Sequence, residues 1–551
     1  MTISPPQADT ADDRGETSRL PLEQGEPGSN DTLHSKALPD DEKKQPESFV
    51  VGSSASESNN LPNEVLLIER IFCCCCVCCG IKNPLDGNKE ALAWALDTAG
   101  RAVSFVAAGA FLSTALIELA RVEAGCEADD TECDKRLYGM IRPSSLLTTY
   151  TIVVGVVSAC LLPLLGAICD YTPHRLVSGQ WLSVAFCVFL FPQIFVSQKM
   201  LLPTALLQMG VAFAGWAQTM IAYAFLPELT SSEATLNRYT QTFTMVSFSS
   251  MLIFLATMVG IATYFEWDTI QTARAAMAVG FGVSAVFLYI AWFRLFEKRP
   301  AARTLPADQS LWTSGFKQVL DTSRRIYHTL PALKWFYISV ALIDAAINSL
   351  ATIAITYMSD TLQFDATENG IAFLCMIVGS IPGGYLGGRL ASRFTPIVSN
   401  MACTFILMSN TIVAAILLVG AGQEIEMFVM ACIWGIGTGG KWTTDRILAS
   451  TVIPTGQDTE LMGTYLFYGQ VLTWLPPLLF TLLNEAGVSQ RVGIGSLAIW
   501  FLGGFLCLSR MGSYRDAVVV AGRGHILEDD HDALLSESQE EEKDPTTTMQ
   551  M

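Results

Sequence analysis

Between about residues 91 and 510 the chain alternates long apolar runs with short polar turns. A helix needs roughly 20 apolar residues to cross the hydrocarbon core of a bilayer. Twelve runs reach that length: 91–119, 146–169, 178–197, 202–227, 242–265, 272–293, 335–358, 369–390, 398–420, 426–449, 462–484 and 492–510. The expected fold class is an all-α polytopic membrane protein with twelve transmembrane helices in two six-helix halves, 91–293 and 335–510. The segment 294–334 is the expected cytosolic linker. Outside the halves lie an acidic disordered tail (1–60), an amphipathic and Cys-rich juxtamembrane stretch (61–90) and a second acidic tail (511–551).

Two polar exits from apolar runs share one skeleton: Gly166-Ala-Ile-Cys-Asp170-Tyr-Thr-Pro-His174-Arg175 and Gly384-Tyr-Leu-Gly387-Gly388-Arg389-Leu-Ala-Ser-Arg393. In each, a small-residue face precedes a basic turn, so a helix can pack closely on a neighbour and then reverse at the membrane surface. Their first glycines, and also their last arginines, are 218 residues apart, the register of two homologous halves. The skeleton resembles the loop between the second and third helices of major facilitator transporters, with Tyr171 in place of a basic residue and Gly388 in place of the acid. Gly166, Asp170, Arg175, Gly384, Arg389 and Arg393 are therefore expected to form the cytosolic gate.

Composition supports the membrane reading, with a mean hydropathy of +0.38, 51% hydrophobic residues and only 16% charged ones. The net charge of −18 resides mostly in the tails. Residues 1–60 hold twelve acids and five bases and residues 522–551 nine acids and two bases, so the tails supply 14 of the 18 negative charges. Such tails keep a segment solvated. Residues 1–60 lack a basic region followed by an apolar one, so the first transmembrane helix is expected to direct insertion and leave the tail in the cytosol. With both ends inside, seventeen basic residues near helix ends face the cytosol and seven the other side, the bias the positive-inside rule asks for.

Cysteines are clustered. Cys73, Cys74, Cys75, Cys76, Cys78 and Cys79 follow the amphipathic run Glu64–Phe72. Contiguous cysteines suit tetrahedral zinc poorly, whereas a juxtamembrane cluster suits reversible S-palmitoylation; unmodified apolar filler and redox chemistry are the alternatives. In the first non-cytosolic loop, Cys126 and Cys133 either close a small disulfide loop or remain two thiols.

Ionisable groups within membrane-spanning runs cost about 2.5–3.5 kcal/mol each on insertion scales and so mark functional candidates. Asp97 and Arg101 lie four apart in the first run, where they can neutralise each other. Asp344 sits near the middle of the seventh, with Asn348 one turn on, and has no basic partner in its own helix. Its plausible cations are Arg101 and Lys441. In the tenth run, Gly435, Gly437, Gly439 and Gly440 precede Lys441, which pairs in sequence with Asp445. These glycines either loosen the helix beside a cavity or serve close packing, and the pairs are either substrate and coupling groups or satisfied structural pairs. No HExxH, GxSxG or P-loop pattern is present, and the five histidines are scattered through tails and loops. Neither enzymatic activity, a cofactor, a metal nor nucleic acid is expected.

Four further stretches resemble the Atg22-like vacuolar amino-acid effluxers, a branch of the major facilitator superfamily: Ile117-Glu-Leu-Ala-Arg121; Pro163-Leu-Leu-Gly-Ala-Ile-Cys-Asp-Tyr171; Tyr223-Ala-Phe-Leu-Pro-Glu-Leu229; and Ile453-Pro-x-Gly456 through Glu460, Gly463, Tyr465 and Pro477 to Ser489-Gln-Arg-Val-Gly493. The resemblance covers about 91–520. It implies a secondary transporter, acting as a monomer, that exports small neutral or branched-chain amino acids from a vacuole to the cytosol, with a proton as coupling partner. It also implies that the first, fourth, seventh and tenth helices line a central cavity. Independently, Asp530-His-Asp-Ala-Leu534-Leu535 fits an acidic dileucine sorting signal for endosomal and vacuolar membranes. The competing readings are a transporter of a sugar, folate or drug-like solute at the plasma membrane, and a non-transporting receptor or scaffold.

Overall fold

The computed structural model describes residues 85, 87–126, 135–230, 233–301, 304–305, 310–454 and 457–523. The expected palmitoylation cluster Cys73–Cys79, the sorting residues Asp530, Leu534 and Leu535, and Cys133 all lie outside the described residues. Cys126 is disulfide-bonded.

Long helices dominate the described chain. In order they are α1 (Lys89–Ala124), α2 (Pro143–Tyr171), α3 (Arg175–Phe195), α4 (Gln198–Phe225), α5 (Arg238–Phe265), α6 (Thr269–Leu295), α7 (Pro331–Asp360), α8 (Ala366–Arg393), α9 (Pro396–Leu417), α10 (Glu424–Val452), α11 (Glu460–Glu485) and α12 (Gln490–Ser509). All but α10 are long and apolar enough to cross a membrane, which makes eleven such helices among the described residues where the sequence reading expected twelve. α10 has 29 residues, about 43 Å at 1.5 Å per residue, so length is not what it lacks. Its glycines and charges dilute its apolarity, and the central charges Lys441 and Asp445 are packed inside the protein rather than against lipid.

Local chemistry places the helix ends. The Asn88 side chain accepts hydrogen bonds from the backbone N–H groups of Glu90 and Ala91 and starts α1. Asp365 and Glu368 form a reciprocal capping box at the start of α8. α1 is not regular throughout. Residues Ala107–Leu112 form a π-turn, and the Ser113 hydroxyl donates to the Ala108 carbonyl at 2.9 Å; such bulges recur at functional sites. α11 breaks between Val471 and Leu475, just before Pro476 and Pro477.

The glycines of α10 do not loosen it. The helix runs unbroken from Glu424 to Val452 and lies against α8 at backbone contact. A Cβ added at Gly435 would sit 2.0 Å from the Met376 carbonyl oxygen and one at Gly439 2.0 Å from that of Ser380. Reciprocally, a Cβ at Gly383 would meet the Ile436 oxygen at 2.2 Å and one at Gly387 the Gly440 Cα at 2.7 Å. Small residues every fourth position on both helices let the two backbones touch.

The segment between the halves contains a helix of its own, Leu311–Thr329, called here the linker helix. It packs across the ends of α2 and α11. Gly315 is the contact with α2, where an added Cβ would lie 2.1 Å from the Pro163 carbonyl oxygen. On the α11 side, Thr322 and Arg325 both donate to Glu460 Oε1, at 2.6 and 2.8 Å.

Candidate functional site

Among the described residues, each half holds a buried charge cluster within its spans. In the first, Asp97 of α1 is wholly buried. Arg101, one turn on, reaches its Oδ2 at 2.6 Å, and the Trp292 indole of α6 donates to Oδ1 at 2.7 Å. Both carboxylate oxygens are thereby satisfied. Arg101 also donates to the Thr219 hydroxyl of α4, which ties three helices to one ion pair.

The second cluster is built differently. Lys441 of α10 is wholly buried, and its ammonium touches two carboxylates, Asp445 on its own helix and Asp344 of α7, the latter at 3.4 Å. Asn400 of α9 donates to the other oxygen of Asp445. Asp344 thus finds its cation across the helix interface, in Lys441, while Arg101 is committed to Asp97 and Thr219. The Asp344 side chain keeps 16% exposure, and its Oδ2 faces α11, where a Cβ at Gly469 would come within 3.0 Å. Asn348, half-buried one turn along, makes no side-chain hydrogen bond among the described residues. With two acids around one base, the cluster is neutral only when one carboxyl carries a proton. Of the two carboxylates, Asp344 is the longer-bonded and the less enclosed.

The two expected gate loops diverge. Arg175 is buried at the turn between α2 and α3 and bonds the Cys169 and Ala224 carbonyls. It also pairs with Glu228 at 2.9 Å and lies over the Phe225 ring. Arg299 extends the network, 3.2 Å from Glu228 and in contact with Glu90. Asp170 accepts a long hydrogen bond, 3.5 Å, from Gln318 of the linker helix. In the second loop, Gly384 packs near Thr443 of α10, Arg389 reaches only the Tyr385 hydroxyl at 3.4 Å, and Arg393 forms no ion pair among the described residues. The glycines of the two loops correspond, since a Cβ at Gly166 would meet the Met220 side chain of α4 at 3.0 Å and one at Gly384 the Thr443 side chain at 3.1 Å. Their arginines differ.

On the face opposite the linker helix, polar contacts join the halves. Arg121 of α1 pairs with Asp360 of α7 at 2.7 Å, and Gln490 of α12 donates to the same carboxylate. Asn484 of α11 donates to Ser144 and Ser145 at 2.9 and 2.7 Å, and Asn369 of α8 donates to Thr114 at 2.9 Å. On the linker face the halves meet through Arg446, which donates to Thr244 of α5, and through the stacked Trp442 and Phe248 rings.

Sequence reading missed Trp292, Thr219 and Asn400, as well as Glu90, Glu228 and Arg299. Glu228 stood inside a quoted motif, Pro227-Glu-Leu229, and its charge at a helix end was the available signal. Trp292, Thr219, Asn400 and Glu90 lie on helices whose pairing no local pattern announces, and Arg299 lies in the non-helical segment after α6.

Solved structures of similar shape belong to one class. A mutant form of the nucleoside transporter NupG superposes with a TM-score of 0.51 at 13% identity, covering 77% of this chain and 100% of that one. The D-xylose–proton symporter gives 0.52 at 11% identity, over 77% and 97%. The human organic anion transporter MFSD10 gives 0.50 at 13%, over 76% and 99%. The fold is that of the major facilitator transporters, on a multi-pass membrane protein. Within that class, residues 86–247 and 240–517 match the family described as vacuole effluxer Atg22 like, and the chain belongs to that family. No curated protein matches it.

Proposed function

We propose that this protein is a secondary transporter that exports small neutral or branched-chain amino acids from the vacuole to the cytosol by alternating access, driven by protons leaving the vacuole. The observation that carries the reading is the family match, which runs through both halves and takes in α1, α4, α7 and α10. The Asp344–Lys441–Asp445 cluster supports proton coupling, because the buried ammonium offsets part of the cost of ionising a partly exposed carboxyl, so that Asp344 can release and regain a proton while the cluster passes between a net charge of −1 and zero. In this reading both termini and the linker helix face the cytosol. The face closed by Arg121, Asp360, Gln490 and Asn484 is then the vacuolar one.

The test is flux into proteoliposomes with a pH gradient. Labelled leucine, alanine, a nucleoside and a pentose are offered separately. Concentrative movement of the amino acids alone supports the proposal. Movement of the nucleoside or the sugar replaces the substrate, and absence of any flux with folded protein overturns amino-acid export and leaves a folate or drug-like solute, or a receptor or scaffold, as the function.

A further inference from the structure

The linker helix and α7 meet at Leu330–Pro331, and the crook between them and α11 holds a cavity of about 360 Å³. Ser323, Arg324, Tyr327, Lys334, Tyr337 and Tyr468 line it, and no acid does. Arg324 is exposed and makes no ion pair or hydrogen bond among the described residues. The Lys334 ammonium lies over the rings of Tyr327 and Trp335, at 4.6 and 5.1 Å, and forms no ion pair among the described residues. The nearest acid on α11, Glu460, is occupied by Thr322 and Arg325. Two cations thus converge on a cavity that contains nothing to neutralise them, beside the hydroxyls of Ser323, Tyr327 and Tyr468. Tyr337 is a fixed wall, since its hydroxyl donates to the Leu461 carbonyl at 2.7 Å.

A second observation gives the depth of this cavity. Trp312, Phe316, Leu320 and Tyr327 are all strongly exposed and, at 100° per residue, fall within one 80° stripe of the linker helix. The stripe is distinct from the face that Gly315, Thr322 and Ile326 bury against α2 and α11. Lys317 and Arg324 flank it. An aromatic and aliphatic stripe beside basic residues is the outward face of a helix lying in a membrane interface. Leu320 and Tyr327 belong to both the stripe and the cavity, so the cavity sits at headgroup level.

We propose that this crook binds the phosphate-bearing headgroup of an anionic phospholipid, with Arg324 and Lys334 on the phosphate and the three hydroxyls as neutral donors. The bound headgroup touches the linker helix, α7 and α11 together. It therefore holds the linker helix in its bridging position, and the lipid composition of the membrane sets how firmly the halves are joined on that face.

The experiment uses the purified full-length protein and measures the occupancy of phosphatidylinositol against phosphatidylcholine by native mass spectrometry. The parent protein should prefer the anionic lipid. Arg324→Gln with Lys334→Gln should lower that preference about thirtyfold, the contribution of two basic residues at a membrane surface. Lys317→Gln, which removes a charge from the same helix outside the cavity, should leave the preference within about twofold. The charge-preserving pair Arg324→Lys and Lys334→Arg should retain most of it. A parent protein without preference overturns the proposal. So does a Lys317→Gln loss as large as that of the double variant, which would mean diffuse surface attraction, or a loss in the charge-preserving pair, which would mean packing alone. Displacement of the lipid by equimolar inositol phosphate or inorganic phosphate assigns the cavity to a soluble anion and overturns the lipid assignment.

Discussion

Lys441 serves two carboxylates, whereas Asp97 is served by two donors, and under the proposed mechanism this difference makes Asp344 the residue at which proton coupling is to be tested. Asp97 has both oxygens occupied, by Arg101 and Trp292. Asp344 has one contact at 3.4 Å and some exposure. Asp344→Asn keeps the shape and removes the exchangeable proton, so pH-driven flux should vanish while substrate exchange across equal pH persists; counterflow assays of the two modes check this, and normal pH-driven flux would make Asp344 structural. Lys441→Ala acts differently, because it leaves two buried carboxylates without their cation. Loss of one partner of a buried pair costs about 3–5 kcal/mol, and thermal melting in detergent should show a far larger drop than for Asp344→Asn. The sequence marked all of these charges, since charges are rare in apolar runs. It could not mark Trp292, 195 residues from Asp97, because an indole in an apolar helix looks like any other core side chain.

The α8–α10 pair shows how one pattern supports two opposite readings at the level of elements. Four glycines in six residues suggest a loosened helix by propensity, yet tertiary contact overrides propensity here, because Gly435 and Gly439 bring the backbone against α8 while Gly437 sits against Leu407 of α9. Gly439→Ala would place a Cβ 2.0 Å from a backbone carbonyl oxygen, with no flexible side chain to yield. It should cost at least the 1–3 kcal/mol or so of an overpacked core, seen as lost monodisperse yield. Gly463→Ala, which meets nothing within 4 Å, should be neutral or slightly stabilising, because Ala favours a helix over Gly, and equal damage from both would remove the close contact with α8 as the cause. Span positions were readable from apolar run length alone, and the starts of α8 and α9 lie within three residues of those expected. The linker helix was passed over, because a short amphipathic segment among polar turns lacks the length by which the spans were recognised.

At the scale of the molecule, buried polar contacts join the halves on the face opposite the linker helix, and that face must part during transport. Asp360→Asn removes the charge that pairs with Arg121. A charge-assisted hydrogen bond is worth about 1.5–3 kcal/mol, roughly tenfold to more than hundredfold in population. A thiol introduced as Ser145→Cys, buried at this face, should therefore be alkylated correspondingly faster in the Asp360→Asn background; an unchanged rate would remove the pair from the gate. The 218-residue spacing led to the expectation of two homologous halves, whereas which contacts close which face depends on side chains brought together from segments far apart in sequence. The linker helix adds an asymmetry to this cycle. At one end it meets α2 backbone to backbone through Gly315, and at the other it grips α11 through two donors on a single carboxylate oxygen. The first contact has no side chain to swing aside, while the second can let go, so in each turnover the helix should keep its seat on α2 and pivot at Leu330, opening the clasp on α11 while it stays tethered to α7. Release at Glu460 then becomes a tick in the clock of the transporter, and Glu460→Gln, by weakening the clasp, should shorten the dwell time with that face shut and raise the maximal rate without changing the concentration at which substrate half-saturates it.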